Sequence, residues 1–221
     1  MLEDFLAITS SIDFEDHGSL LLTHAAWSED AVTLSLEVSS DEVPDVHPYW
    51  QVLCSGVRED CLSLGCYYDV ELSGDHVLLW PHAARTSAVS FYGKAEDPSA
   101  VAGSLYERHW ELVDKWIPFY RFLNTGIRLT DLISGGFGML AEGPEQLILA
   151  YEEVMQQYGF STSHRDPTTP VYREGDAWLE QKAALSVLIL DESYIVAEEF
   201  VAKPVNYHND LFANKFVIGH G

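Results

Sequence analysis

The clearest pattern in the chain is an alternation of apolar and polar positions in its first half. In AVTLSLEVSS (31–40), Val32, Leu34, Leu36 and Val38 share one phase, and Thr33, Ser35, Glu37 and Ser39 share the other. Successive strand side chains point to opposite faces, so period two predicts a strand with one buried side. CLSLGCYYDVEL (61–72) extends the pattern, with Leu62, Leu64, Cys66, Tyr68, Val70 and Leu72 in phase. YWQVLCSG, DHVLLW and SAVSFYG are further strand candidates. Turn-forming stretches separate them: SED at 28–30, SSDEVPD at 39–45, SGVRED at 55–60 and SGD at 73–75. Short strands at this spacing predict an antiparallel β meander over residues 19–92.

The period then becomes helical. Asp97 and Ser99 around Pro98 supply helix-start chemistry. Val101, Leu105, His109, Leu112, Trp116 and Leu123 follow near helical spacing, with Pro118 expected to kink or end the helix. A second helix begins at Pro144. Its stripe is Leu147, Ile148, Tyr151, Val154, Met155 and Tyr158, and Gly159 caps its C-terminus. STSHRDPTTPVYREGDAW (161–178) reads as a polar loop. ALSVLILDESYIVAEEFVA (184–202) reads as two strands joined at Asp191-Glu192-Ser193, and NKFVIGHG (214–221) as a further short strand. The pattern predicts one α+β domain over 1–221: an N-terminal antiparallel β meander, then helices, then a C-terminal β hairpin. A sub-division into a β-rich half (1–96) and a helical/β half (97–221) is the alternative.

Composition adds compartment and partner class. The chain is 47% hydrophobic and 12% aromatic, a globular composition. No apolar run approaches the ~18 residues of a membrane helix. Glu3 and Asp4 stand where a signal peptide carries Lys or Arg, which predicts a cytoplasmic protein. Three cysteines fit reduced thiols. Cys54 and Cys66 are in phase with apolar neighbours and are expected to be buried, with Cys61 exposed. Four residues separate Cys61 from Cys66 and no second pair exists, so a structural zinc site is not expected.

Charge is the strongest compositional signal. Twelve basic residues face 35 acidic ones, a net charge of −23. No Lys or Arg precedes Arg58, whereas Glu3, Asp4, Asp13, Glu29, Glu37 and Asp41 are among the acids of that stretch. Such a field repels nucleic acid and anionic lipid and steers a basic protein inward. Solubility, or a salty cytoplasm, accounts for the same charge without a partner.

Candidate chemistry is sparse. ISGGFGMLAEGP (133–144) suggests a phosphate loop, but GxxxxGK[ST] and GxGxxG are absent and no Lys lies between Lys115 and Lys182. A simpler account has LTDLIS as a short helical turn capped by a left-handed Gly135 or Gly136, with Gly143-Pro144 starting the next helix. HExxH and GxSxG are absent. His76 and His82 stand about 20 Å apart on a straight strand, too far to share a metal. No metal and no cofactor is expected. His109, beside Trp110, is either a general base or a hydrogen-bonded core histidine, and its place in the apolar stripe favours the core. In SSDEVPDVHPYW, Trp50 has the parity of Val52 and Cys54, which assigns Trp50 to the core and Tyr49 to the other face. Asp41, Glu42, Asp45, His47 and Tyr49 then form a candidate binding patch, because aromatics anchor interfaces and carboxylates steer basic partners. A solvated hairpin loop is the simpler account of the same residues.

The sequence favours a non-catalytic interaction module that binds a basic protein partner, inhibitor- or immunity-like, with no nucleic acid and no membrane. The alternative is a small-molecule-binding or hydrolytic domain whose pocket lies between sheet and helices, near His109, Gly136 and Phe137. Oligomeric state is not encoded in any of these features.

Overall fold

The structure, a computed structural model, describes residues 2–11, 18–29, 31–40 and 48–206. The fold is α+β with antiparallel sheets, and it divides into two compact units: residues 1–76 with 183–221, and residues 77–182. Among the described residues no helix is long and apolar enough to cross a membrane.

The chain opens with a helix, α1 (Leu2–Ser11), that the strand-centred reading passed over. Glu3 and Asp4 lie in its first turn, where carboxylates oppose the positive helix end. Phe5 is fully buried and its ring meets Trp50 at a centroid distance of 5.5 Å. The strands that follow are β1 (Gly18–Trp27), β2 (Ala31–Ser40), β3 (Tyr49–Ser55), β4 (Glu59–Cys61), β5 (Gly65–Tyr67) and β6 (Val70–Ser73). The second unit contains α2 (Trp80–Ala83), β7 (Thr86–Tyr92), α3 (Pro98–Val113), α4 (Leu129–Gly135), β8 (Phe137–Pro144), α5 (Glu145–Gln157), β9 (Ser161–Thr168), β10 (Val171–Glu174) and β11 (Ala177–Glu180). The chain then returns to the first unit as β12 (Ser186–Leu190), β13 (Ser193–Ala197) and β14 (Glu199–Pro204).

In the first unit β1, β2 and β3 form the expected meander, extended to a five-stranded sheet of order β14-β3-β2-β1-β5. A four-stranded sheet, β4-β13-β12-β6, supplies the rest of one shared core. Val32, Leu34, Leu36 and Val38 enter that core beside Val52, Cys54 and Trp50, as their period predicts. From the other sheet come Leu188, Leu190, Ile195 and Ala197. Fully buried apolar side chains of this size each contribute about 1.5–3 kcal/mol.

The long strand expected over residues 61–72 is three short ones in two sheets. β5 pairs with β1 and β6 pairs with β12. The break is held by Asp191, whose carboxylate accepts the backbone N–H groups of Tyr68 and Asp69 at 3.1 and 2.9 Å. The phase changes there, so Tyr67 is buried and Cys66 is exposed, contrary to the expectation for that cysteine. DHVLLW is not a strand either. Val77–Leu79 is a 3-10 turn that runs into α2, with Pro81 in the first helical turn, where a missing N–H costs nothing.

In the second unit the sheet β8-β7-β9 packs one face on α3, α4 and α5, around Val89, Phe91, Leu105, Leu140, Leu147 and Ile148. Asp97 caps α3, accepting from the N–H groups of Ser99 and Ala100. That helix ends at Val113, before Pro118, with Asp114 at a positive φ of 49. α5 buries Leu147, Ile148, Tyr151, Val154 and Met155, whereas Tyr158 is partly exposed and bonds Ser104. Gly159 sits at φ +80. Its N–H bonds Gln156 O, and Phe160 N–H bonds Met155 O, which is the Schellman closure of a helix. The stretch expected as a polar loop at 161–178 is β9, the β10–β11 ribbon and their connections. β9 is an edge strand whose side chains are mostly exposed, so its polar sequence conceals its pairing with β7. The stretch expected as a strand at 214–221 lies outside the described residues.

Candidate functional site

Charge is divided unequally between the two units. Residues 1–76 with 183–221 hold 21 acidic and three basic residues, a net charge of −18; residues 77–182 hold 14 acidic and nine basic residues, a net charge of −5. The three cations of the first unit are Arg58, Lys203 and Lys215. Arg58 is already engaged. Its guanidinium pairs with Glu198 through Nη2 and donates to Gly56 O through Nη1 at 3.1 Å, and the side chain is only 10% exposed.

Arg58 belongs to the wall of a cleft of about 220 Å³ at one end of the five-stranded sheet. Val32 and Val57 contribute apolar atoms to its lining, together with Trp27, Glu29, Glu59 and Asp60. Trp27 owes its place to a β-bulge. Leu22 pairs with Leu36 but His24 pairs with Ser35, so Thr23 is an extra residue in β1. Beyond it the phase inverts. Ala25 opposes Leu34 and packs on the core, and Trp27 opposes the buried Val32. Residues directly opposite share a face. Trp27 therefore stands on the core side of the sheet but past the end of the core, 59% exposed. Its indole N–H reaches Asp60 Oδ2 at 3.4 Å. Glu59 accepts the Tyr194 hydroxyl at 2.7 Å, which fixes the strand that carries both acids.

The sequence did not single out Trp27, Arg58 or Asp60. Its own candidate patch centres on the connection between β2 and β3. Asp41, Glu42, Asp45 and His47 lie outside the described residues. Tyr49 is half-buried at the start of β3, opposite Glu37, and its carbonyl accepts Val205 N–H at 2.9 Å. Ala31, at the first residue of β2, lines the cleft, and Ser40 is the last residue. Ala31 and Ser40 stand at opposite ends of a ten-residue strand, about 30 Å at ~3.3 Å per residue.

The candidate pocket residues of the second unit fall into different roles. His109 is 1% exposed on α3. Its Nε2 donates to Ile117 O at 2.6 Å and its Nδ1 accepts from the Tyr151 hydroxyl at 2.8 Å. Burial lowers its pKa, against the opposing effect of the Ile117 hydrogen bond. A neutral imidazole with both nitrogens engaged joins α3 to α5. Gly136 is the left-handed C-cap of α4 at φ +79, and its N–H bonds Ile133 O. Phe137 begins β8 and is 70% exposed, beside its cross-strand partner Tyr92 on the outer face of the sheet. These three residues therefore do not converge on one buried polar centre: His109 is in the core and Phe137 is at the surface. An exposed imidazole is held nearby on β9, where His164 Nδ1 lies 3.3 Å from Glu152 Oε2. Thr162 also donates to Glu152, so the group joins β9 to α5.

Among the described residues no three His, Cys, Asp or Glu side chains group as ligands for a metal ion. Comparison of the chain with protein families, with curated proteins and with solved structures finds no match.

Proposed function

We propose that the protein is a non-catalytic interaction module that binds a basic protein partner through its acidic unit, in the manner of an inhibitor or immunity protein. The observation that carries this reading is the net charge of −18 on residues 1–76 and 183–221. Fields of this kind raise association rates with cationic proteins and weaken with salt. The cleft supports the same reading, because an exposed aromatic beside carboxylates is the composition of an interface anchor.

The test is affinity capture from the lysate of the source organism at low and at high salt. One basic protein retained in stoichiometric amount and released by salt is the expected result. Empty capture, or capture indifferent to salt, overturns the reading.

A further inference from the structure

We infer that the Trp27 cleft is a receptor for one guanidinium group, an arginine side chain presented by the basic partner. This inference rests on the proposed interaction role and adds the contact that anchors it.

Size comes first. Small-molecule sites ordinarily enclose roughly 300–1,000 Å³. At about 220 Å³ the cleft is too small for a cofactor and adequate for the end of one side chain.

The walls then select its chemistry. Indole is the best of the aromatic faces for holding a cation, and a planar guanidinium stacks on it where an ammonium does not. Trp27, 59% exposed, brings such a ring to the lining, with Val32 and Val57 among its neighbours there. Asp60 sits at the edge of the ring, held by the long 3.4 Å contact from the indole N–H. One such contact leaves most of the carboxylate's acceptor capacity for a second, forked donor.

Sign completes the argument. Among the described residues that line the cleft the one cation is Arg58, which is neutralised by Glu198 and bonded to Gly56 O. Glu29, Glu59 and Asp60 then leave the lining with an excess of negative charge. An anionic ligand would face these carboxylates with no uncommitted guanidinium to meet it. An incoming arginine faces the reverse arrangement. It meets an aromatic plane, a carboxylate at its edge and a resident cation already paired elsewhere.

The probe is N-acetyl-arginine methylamide, titrated into the full chain while the methyl resonances of Val32 and Val57 are followed by NMR. Saturable shifts at roughly 1–50 mM are expected for a single side chain. The neutral isostere N-acetyl-citrulline methylamide should produce none. Trp27→Ala and Asp60→Asn should each weaken binding about threefold or more, whereas Trp27→Phe keeps part of it. Amide spectra and melting temperatures matching the wild type establish that the variants are folded. Equal shifts with citrulline, or unchanged binding in both Trp27→Ala and Asp60→Asn, overturn the inference. A second arm separates it from the reading on which it rests. Wild type and both variants are compared in salt-sensitive capture of the basic partner. Loss of capture in the variants supports the cleft as its anchor. Equal capture by all three overturns the cleft and leaves the interaction role standing. Empty capture by the wild type overturns both.

Discussion

The imidazole of His109 and the phenol of Tyr151 meet at 2.8 Å in the core of the second unit, and the other imidazole nitrogen reaches Ile117 O at 2.6 Å. A carbonyl only accepts, so Nε2 carries the proton and Nδ1 accepts from the hydroxyl. Tyr151→Phe removes that donor and leaves Nδ1 buried without it. The expected loss is about 1–3 kcal/mol, read from denaturant unfolding. An unchanged midpoint would show that the bond contributes nothing.

The same histidine gives the stability a sign with pH. Burial lowers the native pKa of His109, so the native state holds it neutral where the unfolded chain, near its ordinary value of about 6.5, takes up a proton. Its contribution is complete above about pH 6.5 and is lost as pH falls through the window below. The melting temperature of the wild type should therefore fall more steeply between pH 7.5 and 5 than that of His109→Gln. The difference between the two is the readout, because the acidic surface gains stability over the same range as its repulsion is titrated away. Parallel curves would remove His109 as the cause.

Gly135 and Gly136 make a paired test. Gly136 has φ +79, and a Cβ there would stand 2.6 Å from Gly93 O. Gly136→Ala should cost more than about 1 kcal/mol, since both conformation and space oppose it. Gly135 closes α4 and a Cβ there meets nothing within 4 Å. Gly135→Ala should be neutral or stabilising by up to about 1 kcal/mol. Equal losses at the two positions would contradict the cap.

Gly56 does the same for the Arg58–Glu198 pair. At φ +64, its missing Cβ leaves room for Glu198, whose Cγ lies 2.8 Å from where that atom would be. Gly56→Ala displaces Glu198 and leaves the largely buried Arg58 with a weakened partner. A loss of about 1–3 kcal/mol is expected in thermal or chemical unfolding. A variant as stable as the wild type would show that Glu198 moves without cost.

Ionic strength should act unequally along the chain. Raising salt from about 10 mM to 1 M shortens the screening length from about 30 to 3 Å. Self-repulsion at −18 is relieved more than at −5. Amide protection in β1–β3 should rise more than in β7–β8, measured by hydrogen exchange. Equal changes would show that the charge is too dispersed to strain its unit.

Legibility followed how local each cause is. Val32 to Val38 obey their period because one uninterrupted strand buries one face, so β2 and the meander around it were readable, as were the caps at Asp97 and Gly159. Where the deciding partner is distant in sequence, the reading failed. Tyr68 and Asp69 turn because Asp191, more than 120 residues later, binds their amides. β9 looks like a loop because half of its bonding belongs to β7. Cys66 followed a period that had already been broken. In the candidate site, His109 was legible as a core residue from its stripe. Trp27 was not, because Thr23 inverts the phase of β1 without any Gly, Pro or charge to announce it.

That inversion means the aromatic wall of the cleft depends on the bulge at Thr23 and not on the parity of Trp27 in the chain. Removing Thr23 would give β1 an unbroken frame in which Ala25 still opposes Leu34 and Trp27 still opposes Val32, whereas flattening the bulge at constant length would carry the indole to the opposite side of the sheet and bring His24 and Ala26 toward the core. Composition, net charge and most of the buried cluster would be untouched. The cleft therefore tolerates the loss of the unpaired residue and is undone by a change that keeps the length of this segment and removes its bulge.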